Sequence, residues 1–98
     1  MLEKEIERRM GELVKKRGGL FYKFVSPMNP GVPDRILITP EGIVWFVELK
    51  RDVGRLANIQ AWQKSEMEKR NANVRVIRGW EAAREFVEEV MPDGIQTS

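Results

Sequence analysis

The first part of the chain has apolar residues at the spacing of one helical face. They are Leu2, Ile6, Met10, Leu13 and Val14, with mostly charged residues between them. Side chains three or four positions apart lie on the same side of an α-helix, so the pattern predicts an amphipathic helix over residues 2–17. The pair Gly18-Gly19 ends this helix, because glycine readily adopts the left-handed conformation found at helix ends.

Three apolar segments with the composition of β-strands follow. They are Leu20–Val25, Asp34–Thr39 and Ile43–Leu49. The segment Ser26–Pro33 holds three prolines and a glycine, which predicts a loop. The turn signal Pro40-Glu41-Gly42 makes the second and third segments a hairpin. Apolar residues on both faces of these two strands indicate central strands covered from two sides.

The second half of the chain predicts a helix over Asn58–Arg70, a strand over Val74–Ile77 and a helix over Trp80–Val90. The inward-facing residues are predicted to be Ile59, Trp62, Met67 and the stem of Gln63 in the first of these helices, and Trp80, Ala83, Val87 and Val90 in the second. The order αβββαβα predicts an α/β fold with one mixed central sheet flanked by helices. We expect a single domain over residues 1–92 and a loose C-terminal tail over residues 93–98.

Composition removes many kinds of catalytic site. The 98 residues include no cysteine and no histidine, which excludes a Ser-His-Asp triad, a Cys-His pair and thiolate or imidazole metal ligands. Chemistry must therefore run on carboxylates, Lys, Arg, Tyr or Ser, and carboxylates favour Mg²⁺ or Mn²⁺. The charged N-terminus and the absence of a long apolar run predict a cytoplasmic protein without a membrane partner.

Charge is divided unevenly along the chain. Residues 1–80 hold 16 basic against 10 acidic side chains, whereas residues 81–98 hold one basic against five acidic ones. A basic body with an acidic C-terminal helix is compatible with nucleic acid binding on one face.

The predicted hairpin brings two acids and a lysine together. If Pro40-Glu41-Gly42 is the loop, Asp34 lies directly opposite Glu48, where Cβ atoms of cross-strand partners are about 4.5–5.5 Å apart. Lys50 is two residues beyond Glu48, so side-chain alternation puts it on the same face.

Two carboxylates at this separation repel each other unless a proton or a cation lies between them. A magnesium ion would satisfy both and could hold a phosphate oxygen and a water, while Lys50 would orient or deprotonate that water. The alternative is that Lys50 forms a plain salt bridge with Glu48 or Asp34. Because buried ion pairs contribute little net stability, folding alone explains the three charges poorly.

Pro33-Asp34 followed by Glu48-Leu49-Lys50 resembles the core motif of PD-(D/E)xK nucleases, whose restriction-endonuclease-like αβββαβ core matches the predicted order. Within that superfamily the chain is similar to the VRR-NUC family, to the stand-alone phage and bacterial type. The likeness runs from about residue 3 to residue 88 and is carried by GGLFYKFVSPMNPGVPDRILITPEG, VWFVELKRDVGRLANIQ and VRVIRGWEAA.

The resemblance implies roles for individual residues. Metal ligands would be Asp34, Glu48, the backbone carbonyl of Leu49 and an acid of the first helix, for which Glu3 matches best and Glu7 is the alternative. The catalytic set would be Asp34, Glu48, Lys50 and Gln60. Ala57 departs from the family pattern, since relatives often carry a Ser-like helix cap there.

Basic residues around the motif are candidates for DNA contacts. One is Lys23, at a position where the family usually has a lysine. The others are Arg35, Arg51 and Arg55, which we expect to contact phosphates. Tyr22, Trp62 and Trp80 are expected in the core or in a subunit interface rather than as stacking platforms for bases.

The resemblance implies a Mg²⁺- or Mn²⁺-dependent DNA endonuclease that selects DNA by its structure. Cutting two strands needs two sites, so we expect a homodimer or higher homo-oligomer acting on branched DNA, above all four-way (Holliday) junctions, in repair. The alternatives are a flap, single-strand or restriction-like nuclease, or a non-catalytic DNA-binding scaffold. We expect it in the cytoplasm of a bacterial or phage-infected cell.

Overall fold

The computed structural model describes residues 1–92, and the predicted tail over residues 93–98 lies outside the described residues. Within the described part, the elements are α1 (Glu3–Lys16), β1 (Leu20–Lys23), β2 (Arg35–Ile38), β3 (Val44–Lys50), α2 (Asn58–Glu68), β4 (Val74–Arg78) and α3 (Gly79–Val90). This order confirms the predicted αβββαβ core followed by an extra helix. None of the helices described is both long and apolar enough to cross a membrane.

The four strands form one sheet in the order β1-β2-β3-β4. β1 pairs with β2 and β2 pairs with β3 in antiparallel fashion, whereas β3 and β4 run parallel. The mixed sheet is therefore confirmed, with β2 and β3 as its central strands. The helix α2 supplies the crossover that a parallel pair requires.

The hairpin between β2 and β3 has the predicted register. Gly42 donates its N–H to the Thr39 carbonyl and has φ of +89°, the left-handed conformation that closes a three-residue hairpin loop. Thr39 in turn donates its N–H to the Ile43 carbonyl at 2.9 Å. The ladder continues until Arg35 pairs with Val47, and the next position outward sets Asp34 against Glu48.

β1 is shorter than predicted, because it ends at Lys23 rather than Val25. Its last cross-strand bond is donated by the Phe24 N–H to the Asp34 carbonyl at 2.9 Å. The chain then turns, with the Asn29 N–H bonded to the Ser26 carbonyl and Met28 at φ of 69°. The prolines of this segment cannot donate to a ladder, which explains the early end.

The hydrophobic core lies between α1, α3 and one face of the sheet. Its fully buried members are Ile6, Met10 and Val14 of α1, Leu37, Val47, Leu49 and Ile77 of the strands, and Ala83, Phe86 and Val87 of α3. Leu13, Trp80 and Val90 are partly buried against it, as the predicted stripes require. Leu2 is 67% exposed, contrary to the predicted stripe, because it precedes the first turn of α1.

The prediction that Ile59 and Trp62 of α2 point inward was wrong. No residue of α2 is buried, and Ile59 and Trp62 are 44% and 55% exposed. Polar contacts tie the helix to the rest of the chain, such as the bond from Gln63 Nε2 to the Pro30 carbonyl at 3.0 Å. Its first turn stands beside the acid Glu48, which Gln60 reaches, so an apolar stripe has little apolar surface to cover there.

Candidate active site

Asp34 and Glu48 stand opposite each other where the hairpin opens. Asp34 immediately precedes β2, and Glu48 follows Val47, the cross-strand partner of Arg35. Cross-strand partners share one face of a sheet, so both carboxylates lie on the face opposite to the core residue Val47. Lys50 at the end of β3 shares this face, and the predicted grouping of the three side chains is present.

The carboxylate of Glu48 is buried and only half satisfied. The residue is 5% exposed. Its Oε2 accepts a hydrogen bond from Gln60 Nε2 at 3.2 Å and lies 3.6 Å from Lys50 Nζ. Its Oε1 is fully buried, and no donor from the described residues reaches it. A buried polar atom without a partner costs about 1–3 kcal/mol, more when it is charged.

This environment makes Glu48 a much weaker acid than an exposed glutamate. Burial is the main reason that its pKa rises to about 7, and the negative charge of Asp34 adds to the increase. The positive charge of Lys50, 3.6 Å away, acts in the opposite direction, and Glu3 contributes a smaller increase. The pocket therefore disfavours the charged carboxylate even beside Lys50, and a second cation would favour it.

Asp34 is oriented by its own strand and by the next one. Its Oδ1 accepts the Leu49 N–H at 3.4 Å. Arg35 donates from Nη1 to the Asp34 carbonyl oxygen at 2.8 Å and approaches Oδ2 at 3.6 Å. The Asp34 side chain is 34% exposed, so its carboxylate remains accessible from solvent beside the buried Glu48.

Lys50 makes the ion pair that the plain salt bridge alternative requires. Its side chain is only 17% exposed and its Nζ faces Glu48 Oε2. That ion pair leaves Glu48 Oε1 without a partner, however, so the lysine does not complete the site by itself.

Gln60 connects the start of α2 to the site. Its Oε1 accepts the Ala57 N–H at 2.8 Å while its Nε2 donates to Glu48. Ala57 caps the helix without a side-chain bond, as its sequence departure implies, and Gln60 supplies the missing local bond instead. The acceptor end of the amide faces the backbone N–H, which leaves the donor end for the carboxylate.

The two candidate acids of α1 differ in their surroundings. Glu3 lies in the first turn and is exposed, and its charge acts on Glu48. Glu7 forms an ion pair with Arg35 Nη2. The structure thus leaves Glu3 as the freer of the two acids, while its role as a ligand, like that of the Leu49 carbonyl, stays a prediction.

The donor set fits a hard divalent cation that keeps much of its water. Among residues 1–92, no group of three or more acidic side chains is close enough to enclose a metal ion. Mg²⁺ is commonly held by one or two carboxylates, with waters and substrate oxygens completing its shell. Asp34 and the unpartnered Glu48 Oε1 match that requirement.

The basic residues chosen as DNA contacts divide into two groups. Lys23, Arg51 and Arg55 are exposed, as phosphate contacts would have to be. Arg35 is different, because its side chain is 12% exposed and is ion-paired with Glu7 and Asp34. This burial argues against the predicted phosphate contact for Arg35. Strand alternation could have indicated the burial from the sequence, because Arg35 points to the same face as the buried Leu37.

Arg78 is a basic residue beside the site that sequence reasoning missed. It is exposed and is the parallel-strand partner of Lys50, and its Nε donates to the Gly54 carbonyl at 3.0 Å. The parallel pairing of β3 and β4 could have indicated this residue, because it sets the carboxyl ends of the two strands side by side.

The three aromatic residues singled out in the sequence have different surroundings. Trp80 packs partly buried against the core, with the guanidinium of Arg9 5.8 Å from its ring centre. Tyr22 and Trp62 are 52% and 55% exposed. Core membership is therefore wrong for these two, and the subunit interface stays a prediction.

Comparisons with known proteins agree with this geometry. A solved structure described as a VRR_NUC domain superposes with a TM-score of 0.82 and 29% sequence identity, covering 88% of this chain and 94% of that one. A curated relative, "Putative nuclease p44" of Acyrthosiphon pisum secondary endosymbiont phage 1, is 50% identical over 48 residues.

That second alignment spans 49% of this chain and about half, 52%, of the length of the phage protein. No family model matches the chain. The structural likeness, in contrast, covers 88% of this chain and 94% of the other. The two likenesses together support this chain as a member of the VRR-NUC family.

Proposed function

We propose that this protein is an endonuclease that hydrolyses DNA phosphodiester bonds with a bound Mg²⁺ or Mn²⁺ ion. The observation that carries the proposal is the buried Glu48 Oε1, which has no donor among the described residues and stands across the hairpin from Asp34. The names of the two similar proteins, a VRR_NUC domain and a nuclease, support the same reading.

The residues of the chain divide the chemical work. Asp34 and Glu48 would hold the cation, with the Leu49 carbonyl as a further ligand and Glu3 reaching it through a bound water. When bound there, a divalent ion would supply a Lewis acid for the phosphate and would lower the pKa of a bound water. Lys50, whose Nζ lies 3.6 Å from Glu48 Oε2, orients the attacking water and offsets the negative charge that develops on the phosphate.

Gln60 fixes the site from the side of α2. Its hydrogen bonds to the Ala57 N–H and to Glu48 hold the carboxylate in one rotamer. A carboxylate fixed in this way presents Oε1 in one direction, which preorganises the ligand set.

The proposed substrate is branched DNA, with four-way junctions favoured over linear duplex. Exposed basic side chains at the end of the sheet, among them Arg51, Arg55 and Arg78, would contact phosphates rather than the edges of nucleobases. Selection would then depend on the shape of the backbone. Action on such DNA would take place in the cytoplasm of a bacterial or phage-infected cell.

A homodimer would supply the two sites that a symmetric junction requires. An apolar patch on the sheet face away from α1 and α3 supports this assembly. The strand register sets its residues in two adjoining rows, Leu20-Ile38-Val44 and Tyr22-Ile36-Phe46. Leu20, Tyr22 and Val44 are 47%, 52% and 38% exposed, so a second copy could bury a continuous apolar surface.

The test is a cleavage assay on labelled four-way junction, flap, single strand and linear duplex, each with Mg²⁺, Mn²⁺ or EDTA. We expect cutting in either metal, none in EDTA, and junctions cut at least tenfold faster than duplex. If no substrate is cut in any metal, the endonuclease proposal is wrong. Equal rates on junction and duplex would refute the junction preference and leave the nuclease intact.

Variants of the site separate chemistry from folding. Asp34→Asn and Lys50→Ala should lower the cutting rate at least 100-fold while far-ultraviolet circular dichroism and junction binding are kept. Glu41→Gln and Lys15→Ala change exposed residues of the same types away from the site and should cut normally. A near-normal rate for either site variant would show that the assigned residues are wrong.

A further inference from the structure

Arg35 occupies an unusual place for an arginine. It lies in a central strand on the same face as the fully buried Leu37 and Val47, yet its side chain is only 12% exposed. An ionised guanidinium is costly to bury unless acceptors surround it. Glu7 from α1 and Asp34 from the adjoining position provide acceptors for the two Nη atoms, whereas the buried Nε has no acceptor among the described residues.

The guanidinium touches Asp34 in two ways. Nη1 donates to the Asp34 carbonyl oxygen at 2.8 Å and approaches the Asp34 carboxylate oxygen Oδ2 at 3.6 Å. The Leu49 N–H bonds to the other carboxylate oxygen at 3.4 Å. Asp34 is therefore held from both sides, and Arg35 holds both its backbone and its side chain.

Glu7 anchors this arrangement to α1. Its carboxylate pairs with Nη2 of Arg35, and its side chain is 23% exposed. Glu3 is one helical turn earlier on the same helical face, since residues four apart are neighbours on a helix. The Glu7–Arg35 ion pair thus fixes both Asp34 and the turn of α1 that carries Glu3.

We propose that Glu7 and Arg35 form a positioning pair that sets the geometry of the divalent-cation site without contacting the cation. This inference rests on the proposed metal site. It assigns to Glu7 a supporting role in place of ligation and to Arg35 a supporting role in place of phosphate contact. Residues that orient metal ligands typically change metal affinity 10- to 100-fold when they are replaced.

The chain offers a control in Arg75, although its side chain is more exposed than that of Arg35, 36% against 12%. Arg75 lies in the same cross-strand row as Arg35, with Val47 between them. It makes two hydrogen bonds to the carboxylate of Glu89 in α3. Arg35 likewise pairs with an acid of a helix, Glu7 of α1. The guanidinium of Arg75 also packs on the ring of Phe86 at 4.6 Å. Removing it should cost stability without touching either site acid.

The experiment measures Mn²⁺ affinity by isothermal titration calorimetry and thermal stability by circular dichroism on the full chain. We expect Glu7→Gln and Arg35→Met to weaken Mn²⁺ binding about 10- to 100-fold. Arg75→Met should lower the melting temperature and leave Mn²⁺ affinity within about twofold of wild type. Arg35→Lys should regain part of the lost stability by pairing with Glu7, but not the full affinity, because a single ammonium cannot match the guanidinium fork.

The outcomes separate two kinds of failure. The metal site is wrong if wild type does not bind Mn²⁺, or if Asp34→Asn binds it as tightly as wild type. The positioning pair is then wrong as well. If wild type binds Mn²⁺ at Asp34 while Glu7→Gln and Arg35→Lys bind it equally tightly, the metal site stands and the positioning pair is refuted. These two conservative variants decide the matter even if Arg35→Met fails to fold.

Discussion

Glu48 is the residue whose placement folding explains least. Its carboxylate is buried, one of its oxygens has no donor among the residues described, and its pKa is raised to about 7, mainly by burial and then by Asp34. A neutral residue of the same shape would avoid this cost. Perturbed acids of this kind concentrate at functional sites, where the strain serves binding or chemistry.

The raised pKa gives a stability prediction with a definite sign. The folded state holds the Glu48 proton up to pH of about 7, whereas the unfolded state releases it near 4.5. In EDTA, Glu48 therefore favours folding below pH 4.5, and this contribution is lost as the pH rises from 4.5 to about 7. Glu48→Gln should consequently be more stable than wild type at pH 8, on the order of 1–3 kcal/mol.

Urea unfolding of both proteins across this pH range measures the effect, since the difference between the two curves isolates Glu48. Mn²⁺ at pH 8 should then stabilise wild type more than Glu48→Gln. A difference that is flat with pH, or that favours wild type in EDTA at pH 8, would contradict the burial argument.

Side-chain alternation explains both the success and the failure of sequence reasoning at this scale. A three-residue loop fixes the register of a hairpin, so Asp34 could be set against Glu48 from the sequence. The same alternation turns Arg35 toward the core, but its acid partner Glu7 belongs to a distant segment. Tertiary packing brought α1 onto that strand, and no local pattern specifies such a pair.

At the scale of elements, α2 shows where hydrophobic patterning misleads. The order of all seven described elements followed from periodicity and turn residues, with bounds within two residues of those predicted, yet Ile59 and Trp62 are exposed. An apolar residue at helical spacing predicts a buried face only if an apolar surface lies opposite. Here the helix begins over Glu48 and contacts the Pro30 carbonyl, so polar groups decide its packing.

Replacing Gln60 should affect the helix and the site together. Gln60→Leu removes both the acceptor for the Ala57 N–H and the donor to Glu48. We expect a loss of about 1 kcal/mol in the free energy of unfolding, the usual value of an N-terminal cap, and a cutting rate at least tenfold lower. Gln63→Leu, which loses only the bond to the Pro30 carbonyl, is the control and should cut normally.

Urea unfolding and single-turnover cutting of a junction provide the two readouts. If Gln60→Leu keeps the wild-type rate while losing stability, the glutamine caps the helix only and has no part in the site.

At the scale of the whole molecule, the two faces of the sheet differ. One is sealed by α1 and α3, while the other leaves Leu20, Tyr22 and Val44 exposed in continuous rows. If a second copy covers this face, Tyr22→Lys and Leu20→Lys should dissociate the assembly to monomers. Light scattering after gel filtration measures the mass, and Val53→Lys is the control, since Val53 is 75% exposed outside these rows.

A monomeric wild type over the micromolar range would refute the dimer. Unchanged mass in both patch variants would instead place the interface elsewhere on the molecule.

The location of a divalent cation is the most direct test of the proposed site. Crystals grown with Mn²⁺ can be measured by anomalous X-ray scattering, which identifies the metal independently of the chain. We predict an anomalous peak within coordination distance of Asp34 and of Glu48 Oε1, with Glu7 outside its shell. A crystal saturated with Mn²⁺ that shows no peak between these two carboxylates, or a peak held by other residues, would contradict the metal-dependent mechanism.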